Sequence, residues 1–390
     1  AQPTRGDSLD LISDAHSDAV YQIDFDSEGQ HLLSGSFDAT ACTSDLSTGH
    51  VNSRYTGHDA DIVAVDFHPD GLTAASLDRN GELLVWDTRT GDRVFLFRPG
   101  YVRFVEVMGS RGGGRRGEFF SFPGVLSTGL FSPNGKYLVT FQNDGMKAFD
   151  AENNGQLHVQ LEGADMPGWA VFSHDSKLVT VIEMNGSDPG VWDVNTGKLL
   201  RRFEGHGLAL CMASFSPVDD RIVTGGMAKC IVWNVRTGEQ VELEGFSGYT
   251  SSCRFSSDGC FVLTGSSDNI CRVWSADSGK PIATLQGHTG RIRDVRFSPD
   301  ESRIVSWATD DQIIVWDTAM PAPNLLISRR GPSRPLQAHW TTDSQNIVTA
   351  WADGSIEIWR GARSEGLPVF SRNRQEFKRQ FDDWRDQVIR

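Results

Sequence analysis

Four histidines recur near the start of similar segments: Ala15-His16, Gly57-His58, Gly205-His206 and Gly287-His288. With acidic residues scattered between them they have the side-chain types of a divalent-metal site. No two are spaced for chelation, and each falls in a different copy of a repeated unit, so a structural role is expected and no metal. The six cysteines, Cys42, Cys211, Cys230, Cys253, Cys260 and Cys271, contain no CxxC pair and read as free thiols among apolar neighbours. Aspartates could supply a carboxylate pair for acid–base work, but they cluster in turns, where the side chain bonds local backbone. There is no GxSxG elbow, no HExxH and no phosphate loop, and Gly112-Gly113-Gly114 is not followed by a helix signal. Arg5-Gly6-Asp7 and Asn185-Gly186-Ser187 are short enough to arise by chance. No catalytic residue, cofactor or metal is expected, and the chain does not read as an enzyme.

What must position these residues is a repeat. One aromatic recurs before a turn: Phe25, Phe67, Phe131, Phe172, Phe215, Phe255, Phe297 and Trp340. A second position follows 18 to 20 residues later: Ser44, Trp86, Phe149, Trp192, Trp233, Trp274, Trp316 and Trp359. The gaps between these second positions are 42, 63, 43, 41, 41, 42 and 43. Each unit holds four short strands: alternating residues as in Ile62–Phe67, a turn such as Ser298-Pro299-Asp300, two more strands to the Trp, a Thr-Gly turn and a short fourth strand. One such sheet cannot bury both faces, so the units must stack around an axis.

Composition agrees. The 390 residues include 40 Gly, 15 Pro, 22 Phe and 11 Trp, which suits short strands and turns. No stretch approaches the roughly 20 apolar residues of a spanning helix. The net charge of −14 disfavours nucleic acid.

The unit resembles that of the WD-repeat β-propeller family, with Gly-His near its start and Trp-Asp at its end: Trp86-Asp87, Trp192-Asp193 and Trp316-Asp317, with Trp233-Asn234, Trp274-Ser275 and Trp359-Arg360 as variants. The resemblance covers roughly residues 9–361. It implies an all-β fold, a single eight-bladed propeller of four-stranded antiparallel blades. It also implies a network of His, Ser or Thr, turn Asp and Trp within a blade: His58, Ser76, Asp78 and Trp86 in the second unit, His288, Asp310 and Trp316 in the seventh, and His16, Ser36 and Asp38 in the first. The third unit, with Phe149 for Trp and no Gly-His, should be the least regular. Ring closure requires Leu9–Ser13 to supply the outer strand of the last blade, because an open ring leaves a bare edge.

Three departures point outward. Residues 101–123 alternate around a Gly-rich tip and read as an inserted β-hairpin carrying Arg103, Arg111, Arg115, Arg116, Phe119 and Phe120 for a partner. Phe37, Trp307 and Trp351 stand near the turn aspartates, either packed between blades or presented to a partner. In the segment 362–390, a linker and an amphipathic helix, Phe377, Phe381, Trp384 and Val388 form one stripe, docking on the propeller, a partner or an anionic membrane surface. The function expected is a protein–protein interaction scaffold within a larger complex; the alternative is a propeller enzyme or glycan-binding protein using the central pocket. Unpaired cysteines favour the cytoplasm, and the Ala1-Gln2-Pro3 start leaves export open.

Overall fold

The computed structural model describes residues 9–12, 15–97, 131–142, 145–151, 155–164, 167–183, 188–206, 210–227, 229–245, 247–318 and 325–359. They form eight antiparallel sheets, the blades of an eight-bladed propeller. The seventh blade shows the pattern: Ile292–Phe297, Arg303–Ala308, Gln312–Asp317 and Leu325–Arg330, hydrogen-bonded in chain order. No helix occurs among the described residues; the expected hairpin at 101–123 and the helix within 362–390 lie outside them.

Burial explains the repeat. Trp86, Trp192, Trp274 and Trp316 are wholly buried, and the aromatics ending the first strands are buried or nearly so. Each large side chain removed from water contributes about 1.5–3 kcal/mol. The residue after the Trp works differently. Asp87 Oδ1 accepts from the backbone N–H groups of Arg89 (2.8 Å) and Thr90 (3.1 Å), holding the turn that Gly91 completes at φ 76°. Asn234 Oδ1 does the same for Arg236 and Thr237, so Trp233-Asn234 replaces Trp-Asp without loss.

Seven first strands share a β-bulge near their start, as between Val20 and Gln22 or Ile292 and Asp294. A bulge inserts one residue and re-aims its side chain. Tyr21 and Arg293 are such inserted residues.

The ring closes as expected. Leu9, Asp10 and Leu11 pair antiparallel with Trp359, Ile358 and Glu357, and Ile12 N–H donates to Ile356 O at 3.1 Å. Leu9–Leu11 is thus the outer strand of the eighth blade, whose other three are Pro335–Trp340, Ile347–Trp351 and Ile356–Trp359. The third blade is the irregular one: Tyr137–Gln142, Gly145–Asp150 and Gln156–Gln160 make three strands, and Phe131 joins them by one isolated bridge to Leu138.

Candidate functional site

The expected network is complete in the seventh blade. His288 Nε2 and Ser306 Oγ are 2.8 Å apart, Trp316 Nε1 donates to the same Oγ at 2.8 Å, and His288 Nδ1 lies 3.1 and 3.2 Å from the two Asp310 oxygens. Burial would raise the Asp310 pKa, but the Thr289 N–H and His288 outweigh it and hold the carboxyl below its ordinary value. Burial pulls His288 down against the opposing charge of Asp310. In the first blade His16 bonds Ser34 (2.8 Å) and Asp38, not Ser36. Ser36 instead caps the turn by accepting from Asp38 N at 3.1 Å.

The second blade departs from the expectation. His58 Nε2 does bond Ser76 Oγ at 2.7 Å. Asp78, however, pairs with Ile62 in the register, the place of Ser36 opposite Val20 and Ala308 opposite Ile292. It is therefore a strand residue, and Asn80 holds the turn position that Asp310 holds in the seventh blade. Trp86 Nε1 has no hydrogen-bond partner; the indole stacks on Tyr55 at 5.5 Å.

Trp307 and Trp351 do not face a partner. Both are wholly buried in one apolar cluster with Trp340 and Trp359 between the last two blades, and Trp307 Nε1 donates to Leu336 O. Phe37 is different. It stacks on Tyr21 (centroids 5.3 Å apart), and the Arg79 guanidinium lies 5.1 Å above its ring. The fold explains this meeting. In each of several blades the residue after the second strand donates its N–H to the residue preceding the first: Phe37 to Ala19, Arg79 to Asp61, Ser267 to Tyr249, Thr309 to Arg291 and Ala352 to Arg334. These positions share one face of the disc. The bulge residues Tyr21 and Arg293 lie there too: burial lowers the Arg293 pKa, helped by the charges of Arg334 and Arg291, and Tyr21 feels Arg79 and Arg293. Arg291 donates to the Tyr249 hydroxyl at 3.0 Å and Arg79 pairs with Asp61 at 2.9 Å. An acidic protein therefore gathers four arginines and three aromatic rings on one face. Arg103, Arg111, Arg115, Arg116, Phe119, Phe120, Phe377, Phe381 and Trp384 lie outside the described residues.

A second group was not foreseen. The residue before the first-strand aromatic is Asp24, Asp66, Arg254, Arg296 and His339 in blades one, two, six, seven and eight. These side chains are half-buried by surface area yet closely surrounded by protein. Asp24 Oδ2 accepts from Phe67 N–H (2.8 Å) and Asp66 Oδ2 from Phe131 N–H (2.7 Å), so each carboxyl ties its blade to the next. Burial raises both carboxyls, and the nearby Asp24 charge adds to the rise at Asp66, which lies well above its ordinary value. Across the ring, Asp294 accepts from Ser252 Oγ, Val295 N, Arg254 Nη2 and Arg296 Nε. Burial would raise its pKa, but the two guanidinium groups and these donors push it well down. Burial and Arg254 bring the Arg296 pKa down to about 10, and burial with Arg296 pushes His339 well below the ordinary imidazole value.

The family model described as "WD domain, G-beta repeat" matches residues 9–42, 49–87, 197–234, 239–275 and 279–317, passing over the irregular third blade, most of the fourth, and the three strands at 335–359 of the eighth. "WD repeat-containing protein 26 homolog" of Arabidopsis thaliana is 24% identical over 331 residues, covering 78% of this chain and 49% of the relative. "Autophagy-related protein 16" of the same plant is 26% identical over 227 residues, covering 56% of this chain and 44% of the relative. The chain spans about half the length of the curated relatives it matches. Among solved structures, the C-terminal WD40 domain of Sif2 superposes with a TM-score of 0.73 at 14% identity, over 90% of this chain and 98% of that one. The computationally designed Ika8 protein gives 0.71 at 22% identity, over 89% and 98%. With the repeat, the closed ring of eight blades and these matches in hand, the chain belongs to the WD-repeat β-propeller family.

Proposed function

We propose that the protein is a non-catalytic interaction scaffold whose arginine-rich face receives an acidic segment of a partner protein. One observation carries this reading: Arg79, Arg291, Arg293 and Arg334 gather with Tyr21, Phe37 and Tyr249 on one face of a chain with net charge −14. Arginine and aromatic side chains supply most of the energy at protein interfaces, and a local positive field on an acidic body selects acidic partners. The carboxylates and guanidinium groups of the inner strands are what an enzyme would need, yet they bond backbone and one another between blades, which accounts for them without a substrate. The hairpin at 101–123 and the C-terminal helix add contacts in this reading, the helix to a partner or an anionic membrane, and make the chain a subunit of a larger complex.

The test is fluorescence anisotropy with acidic and basic peptides of equal length. Acidic peptides should bind, and Arg334→Glu, at an exposed position, should weaken binding at an unchanged melting temperature. Equal binding of both peptide classes, or none, overturns the assignment of this face. Affinity capture with and without residues 101–123 tests the hairpin separately.

A further inference from the structure

The displaced aspartate of the second blade has a consequence of its own. His58 Nδ1, Asp78 Oδ2 and a Glu82 carboxylate oxygen all lie within 4.8 Å of one another. His58 and Asp78 are buried to 6% and 0% exposure, and neither Nδ1 nor Oδ2 has a hydrogen-bond partner. The two atoms face each other at 3.4 Å as a buried ion pair without a formed hydrogen bond, longer than the 3.1 Å of His288 and Asp310, whereas buried polar atoms are almost always hydrogen-bonded. We propose that His58, Asp78 and Glu82 form a binding site for one divalent transition-metal cation, with Zn²⁺ as the representative ion.

Three arguments support this. The first is separation. Two donors each ~2.1 Å from a metal at a tetrahedral angle stand about 3.4 Å apart. The Nδ1–Oδ2 distance has that value, and the glutamate, on a half-exposed side chain, needs only a small movement.

The second is proton accounting. In the seventh blade Trp316 N–H donates to Ser306, so the serine hydroxyl donates to His288 Nε2, and Nδ1 must carry the hydrogen that faces Asp310. That histidine has no lone pair to offer. In the second blade Trp86 makes no such donation. Nothing fixes the relay in that direction, and Ser76 can accept from an Nε2–H. His58 Nδ1 is then a lone pair aimed at Asp78, and Ser76 becomes the outer partner that sets the ring's tautomer, as ligating histidines require.

The third is placement. Asp78 Oδ1 is anchored by the N–H groups of Asn80 (2.9 Å) and Glu82 (2.8 Å), which leaves Oδ2 directed and unused. The same three register positions hold Ser36 and Thr40 with His16 in the first blade, and Ala308 and Gln312 with His288 in the seventh. Among these three blades only the second unites a histidine with two carboxylates. One imidazole and two carboxylates suit a borderline cation such as Zn²⁺ better than Ca²⁺, which takes oxygen alone.

The experiment is calorimetric titration of the chelator-treated full chain with Zn²⁺, with Ca²⁺ as the contrast. One Zn²⁺ should bind per chain and Ca²⁺ should not compete. Glu82→Gln, which keeps the size of a half-exposed side chain, should weaken Zn²⁺ by about tenfold or more, its metal-free melting temperature being measured beside the parent's. Asp78→Asn should weaken it further. His50→Ala, which removes an exposed histidine elsewhere, should leave the affinity unchanged. Absence of stoichiometric binding overturns the proposal, as does Glu82→Gln binding Zn²⁺ as tightly as the parent, or loss of the site in His50→Ala.

Discussion

Replacing Ser306 by alanine should destabilise the protein more than the same change at Ser76. Both serines are wholly buried at matching positions of their blades. Ser306 Oγ serves two buried groups, Trp316 Nε1 and His288 Nε2, each at 2.8 Å. Ser76 Oγ serves one, His58 Nε2 at 2.7 Å, because Trp86 Nε1 is already without a partner. Stranding a buried donor or acceptor costs about 1–3 kcal/mol, so Ser306→Ala should cost about 2–6 and Ser76→Ala about 1–3. The side-chain volume removed is the same, so packing and solvation terms largely cancel in the comparison. The assay is equilibrium urea unfolding followed by far-ultraviolet circular dichroism at one protein concentration. A double-mutant cycle adding Trp316→Phe isolates the indole bond, with an expected coupling of about 1 kcal/mol. Equal losses for the two serines, within about 0.5 kcal/mol, would refute the claim that the relay is complete in one blade and broken in the other.

Other outcomes follow from the same geometry. Asp66 has a raised folded-state pKa, so the folded state holds the proton more tightly than the unfolded chain. Its stabilisation is full below about pH 4 and is lost as pH rises through the raised value. Asp66→Asn should accordingly gain on the parent as pH rises above about 4; a pH-independent difference contradicts the raised carboxyl. Asp294 acts in the opposite direction, its contribution fading as pH falls below about 4. Ala39 sits at φ 63°, where Gly81 and Gly354 stand in equivalent turns, so Ala39→Gly should stabilise by about 0.5–1 kcal/mol in thermal unfolding. Deleting residues 9–13 removes the outer strand of the eighth blade and should lower the melting temperature by more than about 5 °C; an unchanged value means another segment takes that place.

The number of blades and the closing strand were legible because buried aromatics recur at a fixed interval and the edge strand of one unit had to come from the other end of the ring. Turn chemistry was legible in the same way, since Asp and Gly are needed wherever the chain reverses. In the second blade His58 does meet Ser76 and Asp78, but Trp86 is left out and Asp78 lies two residues before the turn position. Counting back from the Trp shows the offset: Asp268 and Asp310 stand six residues before theirs, and Asp78 stands eight before Trp86. Trp307 and Trp351 adjoin turns and could pack between blades or meet a partner, and strand register puts them against the neighbouring blade. The charged inner positions were hidden for another reason. Asp24, Asp66, Arg254 and Arg296 carry no motif, and only setting all units in register shows that one position, always before the aromatic, collects them.

The pairing of Leu9 with Trp359 joins residues 350 positions apart. Closing so long a flexible loop costs about 5 kcal/mol in chain entropy, so the contact forms only after the intervening blades have stacked and brought the two edges together. During synthesis the first strand must wait, unpaired, until the last blade emerges. Its sequence fits the corresponding edge of any other copy equally well. A crowded refolding mixture should therefore trade these strands between chains, giving linked rings or open strings of propellers, while dilute refolding returns single closed discs.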